Sequence, residues 1–393
     1  MLDNPVRILF QSTLSAMSSF MSWIPVSSFA QSTDSPATAD APLSPPQRPQ
    51  APPTDSHSSP AATTSGMGSS PESTSYTTFV SLPPVPPDLF SEDPCVACPA
   101  AQSDSCSLHP HYPAFLKLDR DSPLQGTVRP YSSHVMICTG KADWPDRIEE
   151  ASGTVASALW EVLHAEGRVH GSAEKPRVLV SNISRSSVYS KSGFLYCGVD
   201  VVLFPDNIVV ANVTPSNTRL FYDTFLSDDP SKGDRSKFEV RELDLDGVIV
   251  ICSHRRRDKR CGVTAPILRR ELEKVLASHG MFRVGFDGVA GKQRWEEEPK
   301  GGVAVYMISH VSGHKFAANT ILYTQHGRRG IWYGRVTPCH AEAVVEQTLL
   351  NGKVIRELYR GHMHQSEWDE GVQAAGAEDE GSSCFQSRRS LLW

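Results

Sequence analysis

The chain has 393 residues, 39% of them hydrophobic and 8% aromatic, enough apolar material for at least one sizeable core. Its 38 Lys and Arg against 44 Asp and Glu leave a formal net charge of −6, without the global basic field that drives nucleic-acid binding. No run of 18 apolar residues occurs, which argues against a membrane-spanning helix.

The nine cysteines are odd in number and irregularly spaced, unlike a secreted disulfide framework. A reducing compartment is expected, with some thiols free to bind metal. Between residues 31 and 80, Ser, Thr and Pro fill 28 of 50 positions and Arg48 is the sole Lys or Arg. Such a segment buries too little to offset the entropy of ordering, so residues 1–91 are expected to form a disordered tail. Residues 8–30 are more apolar, but Asp3 precedes Arg7 and serines interrupt the apolar centre. That pattern fits neither a secretory leader nor an Arg-rich mitochondrial presequence.

Past the tail, strand and helix patterns alternate. The first set opens with the strand HVMIC, 134–138. Asp143-Trp144-Pro145 then reads as the start of a helix reaching about Glu166. Strands follow at about 177–181, 200–204 and 208–213, with a turn at Pro205-Asp206-Asn207 and a close at Val213-Thr214-Pro215. The second set opens with VIVIC, 248–252, and a helix expected to begin at Thr264-Ala265-Pro266 and end at Gly280. A strand at 303–309, a hairpin of 319–324 and 330–336, and a helix from about His340 to Leu350 complete it, after a second Val-Thr-Pro at 336–338. Both sets read β-α-β-β-β-α, which points to a diverged internal duplication.

This order, with its late hairpin, is that of a thioredoxin-like sheet. The fold class expected is therefore α/β, with two thioredoxin-like units in tandem: 92–240 without a metal site, and 241–362 with one. Residues 363–393 form a flexible acidic tail. Neither unit has Cys-x-x-Cys at its first helix; Cys95-x-x-Cys98, with Cys106 nearby, lies upstream, so a thiol oxidoreductase is the weakest reading.

Two segments of the second unit carry chemistry. Cys252-x8-Cys261 and His310-x3-His314 each follow a strand, at the same end of the sheet where open α/β sheets place their sites. Two thiolates and two imidazoles hold either zinc or an iron–sulfur cluster. The long cysteine spacing, and the helix and strand between the two segments, suit a large inorganic core better than one tetrahedral ion. His-x3-His keeps zinc in contention, as a structural site in a non-redox interaction protein. Arg255, Arg256, Arg257, Lys259 and Arg260 lie between the cysteines and would raise a cluster's potential and dock an acidic redox partner, such as a flavoprotein reductase. His254 reads as an exposed loop residue. Trp332 and Tyr333 read as core or as cover for the site. In the first unit Cys138 corresponds to Cys252, while Arg185 and Tyr189 fall where His310 and His314 stand.

The segments CSHRRRDKRCG, SHVSGHKFAAN and GIWYGRVTP, with LKLDRDSPLQGTVRPY (116–131) and CTGKADWP (138–145), resemble the sucrase/ferredoxin-like family of fungi and plants over about residues 92–361. The resemblance implies a thioredoxin-like ferredoxin domain whose [2Fe-2S] cluster is held by Cys252, Cys261, His310 and His314. It implies no glycosidase, and no convincing carboxylate pair for one is present. Two imidazoles in place of two thiolates remove negative charge, so the potential should exceed that of an all-Cys cluster, with the histidines on one iron. Their outer nitrogens would couple electron uptake to protonation. The terminal Trp393 resembles the signal read by the cytosolic iron–sulfur targeting machinery, although Leu392 departs from the preferred preceding residue. The expected location is cytoplasmic, with the nucleus as a second site and mitochondrial as the alternative; neither nucleic acid nor membrane is an expected partner.

Overall fold

The structure, a computed structural model, describes residues 84–92, 108–187, 198–283 and 300–363. Cys95, Cys98, Cys106, Tyr189, Cys197, Cys384 and Trp393 lie outside them. In chain order the strands are β1 (Phe90–Ser91), β2 (Ser133–Cys138), β3 (Val178–Ile183), β4 (Val199–Phe204), β5 (Ile208–Val213), β6 (Val240–Glu242), β7 (Gly247–Cys252), β8 (Val303–Ile308), β9 (Thr320–Thr324), β10 (Arg329–Tyr333), β11 (Val354–Ile355) and β12 (Tyr359–His362). The helices are α1 (Val155–Ala165), α2 (Thr218–Phe225), α3 (Lys259–Ser278) and α4 (Ala341–Ala343), the last running on as a π-helical stretch over Val344–Leu350. Among the described residues, no helix is long and apolar enough to cross a membrane.

Ten of the described strands form one mixed sheet in the order β12-β10-β9-β7-β8-β3-β2-β4-β5-β6. The order is nearly symmetric about its middle. In each half the first strand pairs parallel to the second and antiparallel to the third: β2 with β3 and β4, β7 with β8 and β9. The two halves join where β3 and β8 meet antiparallel, with Ile183 opposite Ile308. Four reciprocal hydrogen bonds seal the junction. Ser184 N–H donates to Met307 O and Ser309 N–H to Asn182 O, each at about 2.9 Å, while the Asn182 and Met307 amides donate to the hydroxyls of Ser309 and Ser184. The expected β-α-β-β-β-α order is thus present twice, but both copies share a sheet rather than closing separate ones.

Residue alternation explains the layers. Apolar β-branched runs such as GVIVIC and VAVYMI are buried throughout, as strands covered on both faces must be. Ile249, Ile251, Val303 and Val305 pack with Leu268, Leu272 and Leu276 of α3. Val135, Ile137, Val201 and Leu203 pack with Leu159 and Leu163 of α1. Residues one position along, among them Met136, Cys138, Val250, Cys252 and Ile308, point to the other face and share a core with Cys261, Tyr323 and Trp332.

Both Val-Thr-Pro segments end their hairpins in the same reciprocal cap. Thr214 exchanges hydrogen bonds with Asn217, and Thr337 does so with His340.

Three expectations need correction. The first helix does not begin at Asp143. A short 3-10 turn, Ile148–Glu150, intervenes, and α1 starts behind Thr154, whose hydroxyl accepts from Ser157 N–H. Asp143, Trp144 and Pro145 are instead engaged by the second half, as set out below. The second helix does not begin at Thr264. Asp258 caps it by accepting from Arg260 N–H at 2.8 Å, so α3 starts at Lys259 and Pro266 lies inside it. Pro266 supplies no amide, and the carbonyl its ring crowds one turn back belongs to Gly262. Lastly, residues 84–91 are not tail: Val85 and Leu89 are buried in the α3-side core and β1 pairs parallel with β11.

Candidate metal centre

The C-terminal ends of β7 and β8 deliver the candidate ligands. Cys252 is the last residue of β7, and the corrected start of α3 puts Cys261 in the first helical turn; both thiols are fully buried. His310 follows β8 by two residues. His314 opens a 3-10 turn behind Gly313, whose φ of +77° is one that L side chains rarely adopt. A Cβ on Gly313 would also lie 2.4 Å from a guanidinium nitrogen of Arg360.

The ligand atoms of Cys252, Cys261 and His310 lie within 4.8 Å of one another, and His314 falls outside that group. Its ring centroid is 5.4 Å from that of His310, at 33° between planes. The Nδ1 atoms of both rings are buried without a hydrogen-bond partner. Two thiols and the orphaned His310 nitrogen around one buried spot, with the orphaned His314 nitrogen on the neighbouring ring, are a donor set that a metal group satisfies, since buried polar atoms otherwise find partners.

The electrostatics fit the same use. The Cys261 thiol donates to Cys252, and this bond outweighs burial to hold Cys252 well below the ordinary thiol range, with His310 and the Val311 amide assisting. Cys261, as the donor beside that charge and itself buried, is pushed up. The pair is poised to carry one negative charge on Cys252. Burial lowers His314, favouring the neutral imidazole that a metal requires. Burial alone would raise Asp258, but the Arg260 side chain and amide outweigh it and hold the carboxyl low. Its Oδ2 lies 3.9 Å from His314 Nε2.

His254 is not the exposed loop residue expected. It is 1% exposed, with Nε2 2.9 Å from Pro145 O and 3.0 Å from Trp144 O, while Nδ1 accepts the His310 amide at 3.1 Å. Those contacts fix the proton on Nε2 and make His254 the link between the first-half loop and the His310 backbone. Trp144 packs edge-on against it and donates to Thr139 Oγ1. The clue in the sequence is only a histidine between two candidate cysteines.

The basic run divides. Arg256 pairs with Asp143 at 3.7 Å and Arg257 with Asp146 at 3.3 Å. Arg260 makes a two-pronged bond to Asp258, at 2.9 and 2.8 Å. Arg255 and Lys259 are exposed and form no ion pair among the described residues. Trp332 and Tyr333 are buried, Trp332 in the core that holds both cysteines. In the first half, Arg185 is fully buried beside Cys138 and carries no ligating nitrogen.

Comparison with known proteins places the chain in a family. The chain is 26% identical over 293 residues to altered inheritance of mitochondria protein 32 of Meyerozyma guilliermondii, covering 68% of this chain and 95% of that protein. It is 29% identical over 283 residues to the protein of the same name from Clavispora lusitaniae, covering 67% and 94%. Over 102 residues it is 40% identical to actin patches distal protein 1 of Saccharomyces cerevisiae, 26% of this chain and 29% of that one. No solved structure matches. The family model described as sucrase/ferredoxin-like matches residues 124–361, spanning both halves of the sheet and all four candidate ligands; the chain belongs to the sucrase/ferredoxin-like family.

Proposed function

We propose that this chain is a one-electron carrier whose [2Fe-2S] cluster is held by Cys252, Cys261, His310 and His314, serving cellular redox homeostasis. The observation that carries the reading is the width of the donor set. Four donors around one tetrahedral ion, at bond lengths near 2.0–2.3 Å, lie within about 4 Å of one another. His314 lies beyond the 4.8 Å group formed by the other three. The cluster supplies one-electron chemistry at a potential above that of all-Cys clusters. The chain's own groups do the rest: β7 and β8 aim the ligands, His254 fixes the His310 backbone, and the Trp332-side core excludes water. The twofold β-α-β-β-β-α order supports two diverged thioredoxin-like units, with the ligands confined to the second.

Arg255 and Lys259 are the cations left to meet an acidic redox partner such as a flavoprotein reductase. The competing reading is a structural zinc on the Cys252, Cys261 and His310 group.

Anaerobically purified full-length chain decides between them. Visible absorption, two iron and two sulfide per chain, and an EPR signal after dithionite are expected. Colourless protein with one zinc per chain overturns the proposal.

A further inference from the structure

Arg360 is one of the largest fully buried side chains of the described structure, at 1% exposure. Its guanidinium donates to Thr127 Oγ1 at 3.0 Å, Thr127 O at 3.3 Å, Ser312 O at 3.3 Å and Asn319 Oδ1 at 2.8 Å. Every one of these acceptors is neutral. A buried cation without a counter-charge costs several kcal/mol, so such groups are found beside a compensating negative charge. No carboxylate supplies it among the described residues. Burial lowers Arg360 to about 10, and the single negative charge of the Cys252–Cys261 pair acts in the opposite sense.

The position is built. Ser312 and Gly313 form the turn between His310 and His314, and Arg360 lies against Gly313 so closely that no Cβ fits. Asn319 receives Arg360 on its carbonyl, donates to Gly313 O at 2.9 Å, and accepts the Cys252 amide on its backbone oxygen at 2.9 Å. The cation is therefore tied to the histidine turn and, through one residue, to the strand end that carries Cys252. Its guanidinium carbon lies 5.3 Å from the ring centre of Phe316 and 5.8 Å from that of Trp332, both buried, in surroundings of low dielectric.

We infer that Arg360 is the fixed counter-charge of the metal centre: a positioning residue that stiffens the His310–His314 turn and holds the charge of the electron accepted there. The inference rests on the [2Fe-2S] reading above. In the step concerned, one electron arrives from a one-electron donor such as a reduced flavin; no bond forms or breaks, and the centre becomes one unit more negative beside Arg360. Removing the cation penalises the reduced state.

The test is a redox titration of full-length wild type, Arg360→Gln and Arg360→Lys, followed optically, with iron and sulfide analysis of each. Arg360→Gln is expected to keep its iron and shift the oxidised/reduced equilibrium about tenfold toward oxidised, a fall of ~59 mV for one electron. Arg360→Lys, which keeps the charge, should titrate close to wild type. Asn319→Asp tests the same charge from the other side, by placing a carboxylate against Arg360 at the cost of the Nδ2 bond to Gly313 O, and should lower the potential similarly; it decides the matter if Arg360→Gln does not fold. An iron-replete Arg360→Gln or Asn319→Asp with the wild-type potential overturns the inference. Wild-type protein without iron overturns the cluster reading instead.

Discussion

The guanidinium of Arg185 lies 3.6 Å from the sulfur of Cys138, both fully buried, at the place in the first half that His310 and Cys252 occupy in the second. Sheet symmetry makes the correspondence residue by residue: Ile183 faces Ile308 across the junction, and each is followed two positions later by Arg185 and His310. Arg185 cannot coordinate a metal, since a guanidinium has no free acceptor. It pairs instead with the buried Asp200 at 3.5 Å. Among the described residues, the first half therefore offers no counterpart of the candidate metal centre at this place. Replacing Arg185 by Met should cost about 3–5 kcal/mol in urea unfolding, because Asp200 loses its buried counter-charge. Adding Asp200→Leu should recover most of that loss, and neither change should alter iron per chain. Equal stability of the single and double variants would show that the pair is not what holds this half together.

His254 touches the centre only through the His310 amide, so its loss should loosen the metal without removing a ligand. Changes to groups that orient ligands commonly cost 10–100-fold in metal affinity. His254→Ala should therefore lose iron to a chelator on that order faster than wild type, with secondary structure retained by circular dichroism. Unchanged iron release would mean that β8 alone fixes His310.

These two residues mark how far the sequence could be read. Strands such as GVIVIC and VAVYMI were legible because apolar runs bounded by turns have few other fates, and the closeness of Cys252, Cys261 and His310 because two strand ends and one helix start bring them together. His254 was misread because its partners, Trp144 and Pro145, lie over a hundred residues away. The helix starts were misplaced for a related reason. Asp143 looked like a cap but accepts the Arg256 amide at 3.1 Å, and Asp258 caps α3 from inside the basic run. Arg360 sits in a short edge strand with no periodic signal; only Gly313, needed to admit it, hints at its presence.

Arg255 and Lys259 are the residues of the basic run without intramolecular ion pairs among the described residues, so their charges are the ones proposed to meet a redox partner. Reversing both to Glu should slow reduction of the protein by NADPH and a flavoprotein reductase by about tenfold at low ionic strength, with the difference shrinking as salt is raised. Arg257→Ala, which releases Asp146, and Arg256→Ala, which leaves Asp143 held by the backbone amide of residue 256 alone, should act more on the hold between the two loops than on that rate. A salt-independent defect in the double reversal would point away from electrostatic docking.

The histidine pair predicts the direction of a ligand swap. His314→Cys adds a thiolate to the centre and so disfavours the reduced state; the potential should fall by on the order of 100 mV, toward that of all-Cys clusters. The swap should be tolerated, because the His314 side chain is 45% exposed and its place is set by the Gly313 turn rather than by packing. An unchanged potential with iron retained would exclude His314 as a ligand.

Acid sensitivity should come from two buried histidines that are not candidate ligands. Burial, assisted by the Arg177 charge, lowers His134 to about 3, and burial lowers His340 to about 4. His134 spans Tyr323 and Ser181 with its two ring nitrogens, and His340 accepts the Thr337 amide on Nδ1, so both are neutral when folded. The unfolded chain binds a proton at each below its ordinary value of 6.5, whereas the folded chain does not until near 3 or 4. Stability is therefore fully present above 6.5 and declines as pH falls, by up to about 1.4 kcal/mol per unit per histidine. Between pH 7 and 5 the two together should remove about 4 kcal/mol, a window above most carboxylate titration. His134→Gln keeps hydrogen-bonding groups at that position but cannot be protonated, so its stability measured by urea unfolding should fall about half as steeply as wild type over that window. Comparing the two chains cancels contributions from the candidate ligands. Parallel pH profiles would mean that His134 is not neutral in the fold, or that the folded and unfolded chains protonate it alike.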